Sequence, residues 1–299
     1  PRSRGLGDVY KRQILSCEAC GGNLEDALPV AAAIELIHEY SLIFDDIIDR
    51  GEVRRGKDTL RKKYGDVTAI LAGLHYREVI SDLISMSKHP LEVRKLLSQT
   101  IKDIIEGERL DILFEQAGRE DPYILEHRRY NVSFEDYLKM IGLKTAVLIS
   151  AACEAGCLVA DGGSKEREAL RAYGYKIGLA FQLIDDLLDI FGEEKVFGKK
   201  IGKDLIEHKL GNAVILKSLE ELDEKHAKML RIILSKEKVL EEDVKQAIEI
   251  ISKTNAKKKV YNLAYGFMEE ALQNLKVLPQ SSAREKLEIL ARFIVERKF

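Results

Sequence analysis

Residues 44 to 57, FDDIIDRGEVRRGK, place three aspartates and two adjacent arginines within one short span. On a helix, Asp45 and Asp49 are four apart and project from one face, with Asp46 about 100° round it. The pattern D-D-x-x-D returns as Asp185, Asp186 and Asp189 in DDLLD. Behind the first cluster, Glu35, His38 and Leu42 continue the three- and four-residue stepping, and Gln182 does so behind the second. Each helix is therefore expected to carry a polar stripe.

Both clusters follow apolar segments, AAAIELIHEYSLIF and IGLAFQLI. Burying an ionised carboxylate costs at least several kcal/mol unless a cation or partner satisfies it. All-oxygen ligands suit a hard cation, and Mg²⁺ characteristically takes one or two carboxylates, waters and substrate phosphates. Arg54 and Arg55 follow the first cluster, and Lys199, Lys200 and Lys203 follow the second in a glycine-rich stretch. Carboxylate, Mg²⁺, phosphate and guanidinium would form an alternating-charge arrangement. The plainer reading is a solvated acidic turn, but recurrence with the same apolar and basic flanks argues against it. A di-iron bundle needs two Glu-x-x-His pairs, and only Glu35-Leu36-Ile37-His38 is present.

The elements that must hold these residues are helical. No proline lies between Pro122 and Pro279, and Ala, Leu, Glu and Lys are frequent, which favours helix. Apolar residues recur at helical spacing over 28–48, 67–86, 91–117, 134–160, 167–191, 211–235, 240–253, 256–277 and 283–297. Breaks at Gly51/Gly56, Lys88-His89-Pro90, Gly118 to Pro122, Asp161 to Ser164, 192–203 and Pro279 to Ser282 are too short for domain linkers. The expected fold is all-α, one large bundle of about ten helices.

The chain has 299 residues, 45% of them hydrophobic, enough for a large core. Its 48 basic and 50 acidic residues nearly cancel, so no overall field favours nucleic acid or an anionic membrane. The apolar runs 28–34 and 146–153 stop at Glu35 and Glu154, short of the ~20 residues of a membrane span. No secretory leader is seen, and a cytoplasmic location is expected. Cys17-x-x-Cys20 and Cys153-x-x-x-Cys157 lie in Ala-rich apolar segments and read as small core residues in preference to zinc ligands. Residues 1–13, PRSRGLGDVYKRQ, are polar and aperiodic and end abruptly at ILSCEACGG. They read as a foreign tail, like translated adapter sequence, on a domain spanning 14–299.

The segments ELIHEYSLIFDDIID, RRGK, LKTA, AFQLIDDLLDIFG, GKKIGKD and EHKLGN resemble the trans-isoprenyl diphosphate synthases of the polyprenyl synthetase family over nearly all of 14–299. GKKIGKD, EHKLGN and EGERLDILFE are most similar to archaeal-type geranylgeranyl diphosphate synthases. The resemblance implies helices around a deep apolar cavity, a homodimer, and about three Mg²⁺ ions on Asp45, Asp49 and Asp185, with Asp46, Asp186 and Asp189 assisting. It further implies that Arg54, Lys144, Thr145, Gln182, Lys199 and Lys209 grip an allylic diphosphate, and that His38 and Arg55 grip isopentenyl diphosphate. Asp45, Asp49, Lys144, Gln182, Asp185 and Lys199 would carry the catalysis. Loop 192–204, with glycines at 192, 198 and 202, reads as a lid.

Tyr40 and Ser41 match the chain-length positions. Tyr40 lies about 7.5 Å below Asp45 along the helix, and an aromatic floor there implies a twenty-carbon product; the plainer reading is packing against a neighbouring helix. Three departures stand out. The family's basic G-G-K-R-x-R-P segment is replaced by the tail, which implies weak isopentenyl diphosphate binding in a truncated chain. Leu74 stands where relatives have Asp, and Asp58 where they have Pro. Alternatives are a farnesyl or other short-chain product, a terpene cyclase, which would normally carry a different second metal motif, and a non-catalytic subunit, which would normally lack aspartates retained here.

Overall fold

The computed structural model describes residues 9–192 and 201–296, and side chains from residue 12. Two compact units are present, and both are all-α apart from one short hairpin among the described residues. Unit 1 comprises residues 1–102, 148–174 and 274–289; unit 2 comprises 103–147, 175–273 and 290–299.

In unit 1, α1 (Val9–Ala19) and α2 (Leu24–Ile48) are joined by a glycine turn, and Asn23 caps α2 by accepting the Asp26 N–H at 3.0 Å. A hairpin, β1 (Val53–Arg54) and β2 (Lys57–Asp58), leads to α3 (Leu60–Tyr64) and α4 (Asp66–Ser85). Its two central residues, Arg55 and Gly56, both have positive φ, 53° and 76°, as a type I′ turn requires. Helix α2 packs along α4 and buries Ala33, Ile34 and Ile37. Fully burying each such isoleucine contributes roughly 1.5–3 kcal/mol. The ring of Phe44 lies over Gly73, where a Cβ would collide with it.

Helix α5 (Pro90–Leu113) is followed by α6 (Pro122–His127) and α7 (Phe134–Ile141). Ser133 and Asp136 close a reciprocal capping box at the start of α7. A single π-helical turn, Gly142–Ala146, joins α7 to α8 (Val147–Val159), and α9 (Ser164–Phe191) follows. Unit 2 continues with α10 (Lys203–Ile206), α11 (Ala213–Leu219), α12 (Glu224–Leu234), α13 (Glu241–Ile251) and α14 (Ala256–Leu275) as far as residue 273; α15 (Ser282–Val295), which belongs to unit 1 as far as residue 289, closes the described chain. Phe114, Tyr137, Ile141, Ile177, Leu183 and Ile184 form the core of unit 2.

The helical periods read from sequence recur as helices, with two differences. The stretch 211–235 is broken at 220–223, where Asp223 caps a new helix by accepting the His226 N–H at 2.8 Å. Residues 12 and 13, expected in a tail outside the fold, lie on α1 and are buried. Two segments, Leu24–Ile48 and Phe134–Val159, are long and apolar enough to cross a membrane, and 78% of the second's apolar window is buried within the protein.

Candidate active site

Helix α2 delivers the first aspartate cluster at its C-terminal end, where the backbone N–H of Asp49 returns to the Asp45 carbonyl at 2.8 Å. The three aspartates are half-buried. The hairpin that follows brings Arg54 back onto them. Its Nε lies 3.0 Å from both oxygens of Asp46, and its Nη2 lies 2.9 Å from Oδ1. Asp45 and Asp49 also act electrostatically on this guanidinium. The positive charge demanded by the acidic stripe is thus supplied in part by the chain itself, and Asp46 is engaged by Arg54.

About two turns further back along α2, His38 is 5% exposed and its Nε2 has no hydrogen-bond partner. Burial pushes its imidazole down to about 4, and Arg55 and Arg54 nearby act in the same direction against Glu39. The ring is therefore neutral at pH 7. Arg55 reaches Glu39 at 3.4 Å. Tyr40 is buried edge-on against Phe44, with ring centroids 5.9 Å apart and planes at 85°. The Ser41 hydroxyl donates to the His38 carbonyl at 2.8 Å, and Leu74 is exposed.

In unit 2 the second cluster lies near the end of α9. Gln182, Asp185 and Asp189 are half-exposed, whereas Asp186 turns into the core. Asp186 accepts from the Tyr137 hydroxyl at 2.8 Å, the Ala213 N–H at 2.7 Å and Gln182 Nε2 at 3.1 Å. Burial, reinforced by Asp204, raises its carboxyl well above the ordinary range despite these donors. Asp186, expected to assist the metal, is thereby held as an internal anchor between α7, α9 and α11. Asp189 accepts the N–H groups of Lys203 and Asp204 at 3.0 and 3.2 Å. Burial and then Asp204 nevertheless push its carboxyl up to about 8, so this site favours added positive charge.

The π-turn places Lys144 and Thr145 toward different neighbours. Thr145 Oγ1 donates to Gln182 Oε1 at 3.1 Å. Lys144 Nζ lies 2.7 Å from Glu108 Oε2 and 2.6 Å from Asp111 Oδ2 on α5. Such close approach needs glycine at 107, because a Cβ there would overlap the Lys144 backbone nitrogen. Lys209 Nζ reaches the same Asp111 oxygen at 3.2 Å and Glu207 at 3.3 Å, and Lys203 reaches Glu207 at 2.8 Å. The result is an alternating row of three carboxylates and three ammoniums. Burial alone would raise Asp111, but the two lysines prevail and hold it well below the usual carboxylate range.

Within unit 1 the structure brings together His38, Asp45, Asp46, Asp49, Arg54 and Arg55. Within unit 2 it brings Thr145, Gln182 and Asp186 into one hydrogen-bonded chain and Lys144 and Lys209 onto one carboxylate. Lys199 and most of loop 192–204 lie outside the described residues. Sequence reading missed Glu108, Asp111, Tyr137 and Asp204. Asp111 and Asp204 stand inside the segments EGERLDILFE and GKKIGKD, but only the fold reveals their partners.

The polyprenyl synthetase family model matches residues 11–251. The chain is 39% identical over 291 residues to a short chain isoprenyl diphosphate synthase of Methanothermobacter thermautotrophicus, covering 95% of this chain and 84% of that relative. It is 35% identical over 290 residues to a geranylgeranyl diphosphate synthase of Methanosarcina mazei, covering 96% and 84%. The crystal structure of a geranylgeranyl pyrophosphate synthetase from Pyrococcus horikoshii superposes with a TM-score of 0.87 at 32% identity, covering 97% of this chain and 86% of that one. An all-α chain with paired aspartate stripes and this extent of similarity belongs to the polyprenyl synthetase family. It is a chain-elongating prenyltransferase.

Proposed function

We propose that this chain joins isopentenyl diphosphate to an allylic diphosphate, releasing pyrophosphate, with geranylgeranyl diphosphate as its product. The observation that carries the reading is that unit 1 sets Arg54 on Asp46 of a half-buried D-D-x-x-D stripe, while unit 2 keeps Asp185 and Asp189 half-buried and fixes Lys144 and Lys209 on Asp111.

The carboxylate set fits Mg²⁺ in its chemistry. Among the described residues no three acidic, His or Cys side chains are grouped to hold an ion unaided, and Mg²⁺ usually completes its shell with water and phosphate oxygens. Asp45 on α2 and Asp49 at its C-terminal cap, and Asp185 and Asp189 on α9, are the ligands we assign. Bound there, Mg²⁺ would act as a Lewis acid on the leaving diphosphate.

The chain's own groups do the rest. Arg54 in unit 1, and Lys144 and Lys209 in unit 2, carry positive charge of the kind that draws a diphosphate and stabilises the charge growing on it as a C–O bond ionises. Thr145 and Gln182, hydrogen-bonded to each other, orient it. His38, held neutral, and Arg55 bind isopentenyl diphosphate, whose double bond attacks the allylic cation. The proton then lost goes to the departing pyrophosphate. Apolar residues flanking both stripes exclude water from the cation.

A twenty-carbon product is supported by the buried Tyr40 below Asp45, set edge-on against Phe44, and by relatives named geranylgeranyl diphosphate synthase. A homodimer is supported by the outer face of α4, where Val67, Leu71 and Leu74 are 73%, 61% and 52% exposed. Four unpaired cysteines accord with a reducing cytoplasm. Pyrophosphate release measured with each substrate alone and with both, before and after chelation of Mg²⁺, tests the reaction. Release only with both substrates and the metal is expected, and release from the allylic diphosphate alone contradicts it.

A further inference from the structure

Helices α1 and α8 end in matching ways in unit 1. Each runs into a Gly-Gly pair, Gly21-Gly22 after α1 and Gly162-Gly163 after α8. Gly22 N–H donates to the Cys17 carbonyl at 2.9 Å, and Gly162 N–H donates to the Cys157 carbonyl at 3.0 Å. The two turns pack on each other. A Cβ on Gly22 would lie 2.7 Å from Ala160 Cβ, and one on Gly162 would lie 3.3 Å from Cys20 Cβ and overlap Cys157 Sγ. Three of the four cysteines are thereby gathered at one end of the unit.

Their situations differ. The Cys17 thiol donates to the Asn23 carbonyl at 3.4 Å. Cys153 is fully buried beside Ser16. The Cys20 β-carbon and the Cys157 sulfur both border the place that a Cβ on Gly162 would take. Cys157 is fully buried, whereas Cys20 is partly exposed, the only one of the four so placed. Among the described residues no group of three ligating side chains is formed.

We propose that Cys20 and Cys157 are a thiol pair that closes to an intramolecular disulfide, with Cys20 reacting first and Cys157 resolving. The oxidant is a low-molecular-mass disulfide. Cys20 thiolate attacks one of its sulfurs, breaking the S–S bond and releasing one thiolate; Cys157 thiolate then attacks the Cys20 sulfur of the mixed disulfide and releases the second. Two protein thiols are oxidised, one disulfide is reduced to two thiols, and the two protons lost from the cysteines end on the released thiolates. The product bond ties α1 to α8 across the residues between 20 and 157. This inference is independent of prenyl transfer, and its test reads no activity.

The test exposes the full chain to oxidised glutathione, counts thiols after denaturation, and maps cross-linked peptides by mass spectrometry. Two of the four thiols disappear, the Cys20–Cys157 peptide is found, and dithiothreitol reverses both. Oxidised protein melts higher than reduced, by about 5 °C or more. Cys20→Ser and Cys157→Ser each abolish the cross-link, and Cys153→Ser leaves it. Since mapping the unsubstituted chain is decisive alone, misfolding of a variant does not protect the proposal. Retention of all four thiols, a Cys17–Cys20 cross-link, or disulfides only between chains overturns it.

Discussion

Lys144 and Lys209 converge on a single oxygen, Oδ2 of Asp111, at 2.6 and 3.2 Å. Neither lysine is near the other in sequence. One buried carboxylate therefore fixes the spacing of two cations that the proposed reaction presents to a diphosphate. Removing one partner of a buried charge network leaves the others uncompensated, at a cost of about 3–5 kcal/mol. Asp111→Asn should lower the unfolding free energy by that amount and raise the KM for the allylic diphosphate tenfold or more. Denaturation curves and steady-state kinetics check the two effects, and wild-type values in both contradict the assignment.

Arg54 meets Asp46 through Nε and Nη2 while facing Asp45 and Asp49. A planar fork makes this contact in a way an ammonium does not. Arg54→Lys should therefore lose nearly as much kcat/KM as Arg54→Ala, on the order of 100-fold, with little change in circular dichroism. Full activity in the lysine variant would mean that charge alone suffices.

His38 gives stability a definite pH dependence. Its imidazole has an ordinary value of 6.5 and about 4 when folded, so below 6.5 the unfolded chain takes up the proton first. The contribution is complete above pH 6.5 and is lost progressively as pH falls toward 4, by about 3 kcal/mol in all and about 2 by pH 5. Urea unfolding at pH 7 and pH 5 should show a steeper loss for the wild type than for His38→Gln. Equal losses in the two proteins would show that His38 is not the titrating group.

Arg12 Nε and Nη1 are buried with no hydrogen-bond partner. Replacing the guanidinium by an apolar side chain removes an unmet desolvation cost of about 1–3 kcal/mol. Arg12→Leu should raise the melting temperature, and a lower one would show that the guanidinium is satisfied in solution.

Tyr40 is wedged edge-on against Phe44 beneath the first aspartates. Tyr40→Ala should lengthen the main product by at least one five-carbon unit, visible by chromatography of the dephosphorylated alcohols. An unchanged product at reduced stability would make Tyr40 a packing residue only.

Much of this was legible in the sequence, for identifiable reasons. Apolar spacing located the long helices because burial repeats with the helical turn, and the same spacing put Gln182, Asp185 and Asp189 on the half-exposed face where they are found. Asp186 was read with them because two adjacent aspartates look alike in a pattern. Its inward turn depends on Tyr137, 49 residues away in sequence, and no local period encodes that. The π-turn at Gly142–Ala146 was equally hidden, since one extra residue in a helical turn leaves no sign in composition. The basic RRGK was recognised, whereas its hairpin, which returns Arg54 to Asp46, rests on two residues of positive φ that the helical reading passed over.

The most direct test incubates the chain with labelled isopentenyl diphosphate, farnesyl diphosphate and Mg²⁺ and measures product length. A twenty-carbon diphosphate is expected from the chain, and none from Asp45→Asn. No incorporation of label by the chain would contradict the proposed reaction.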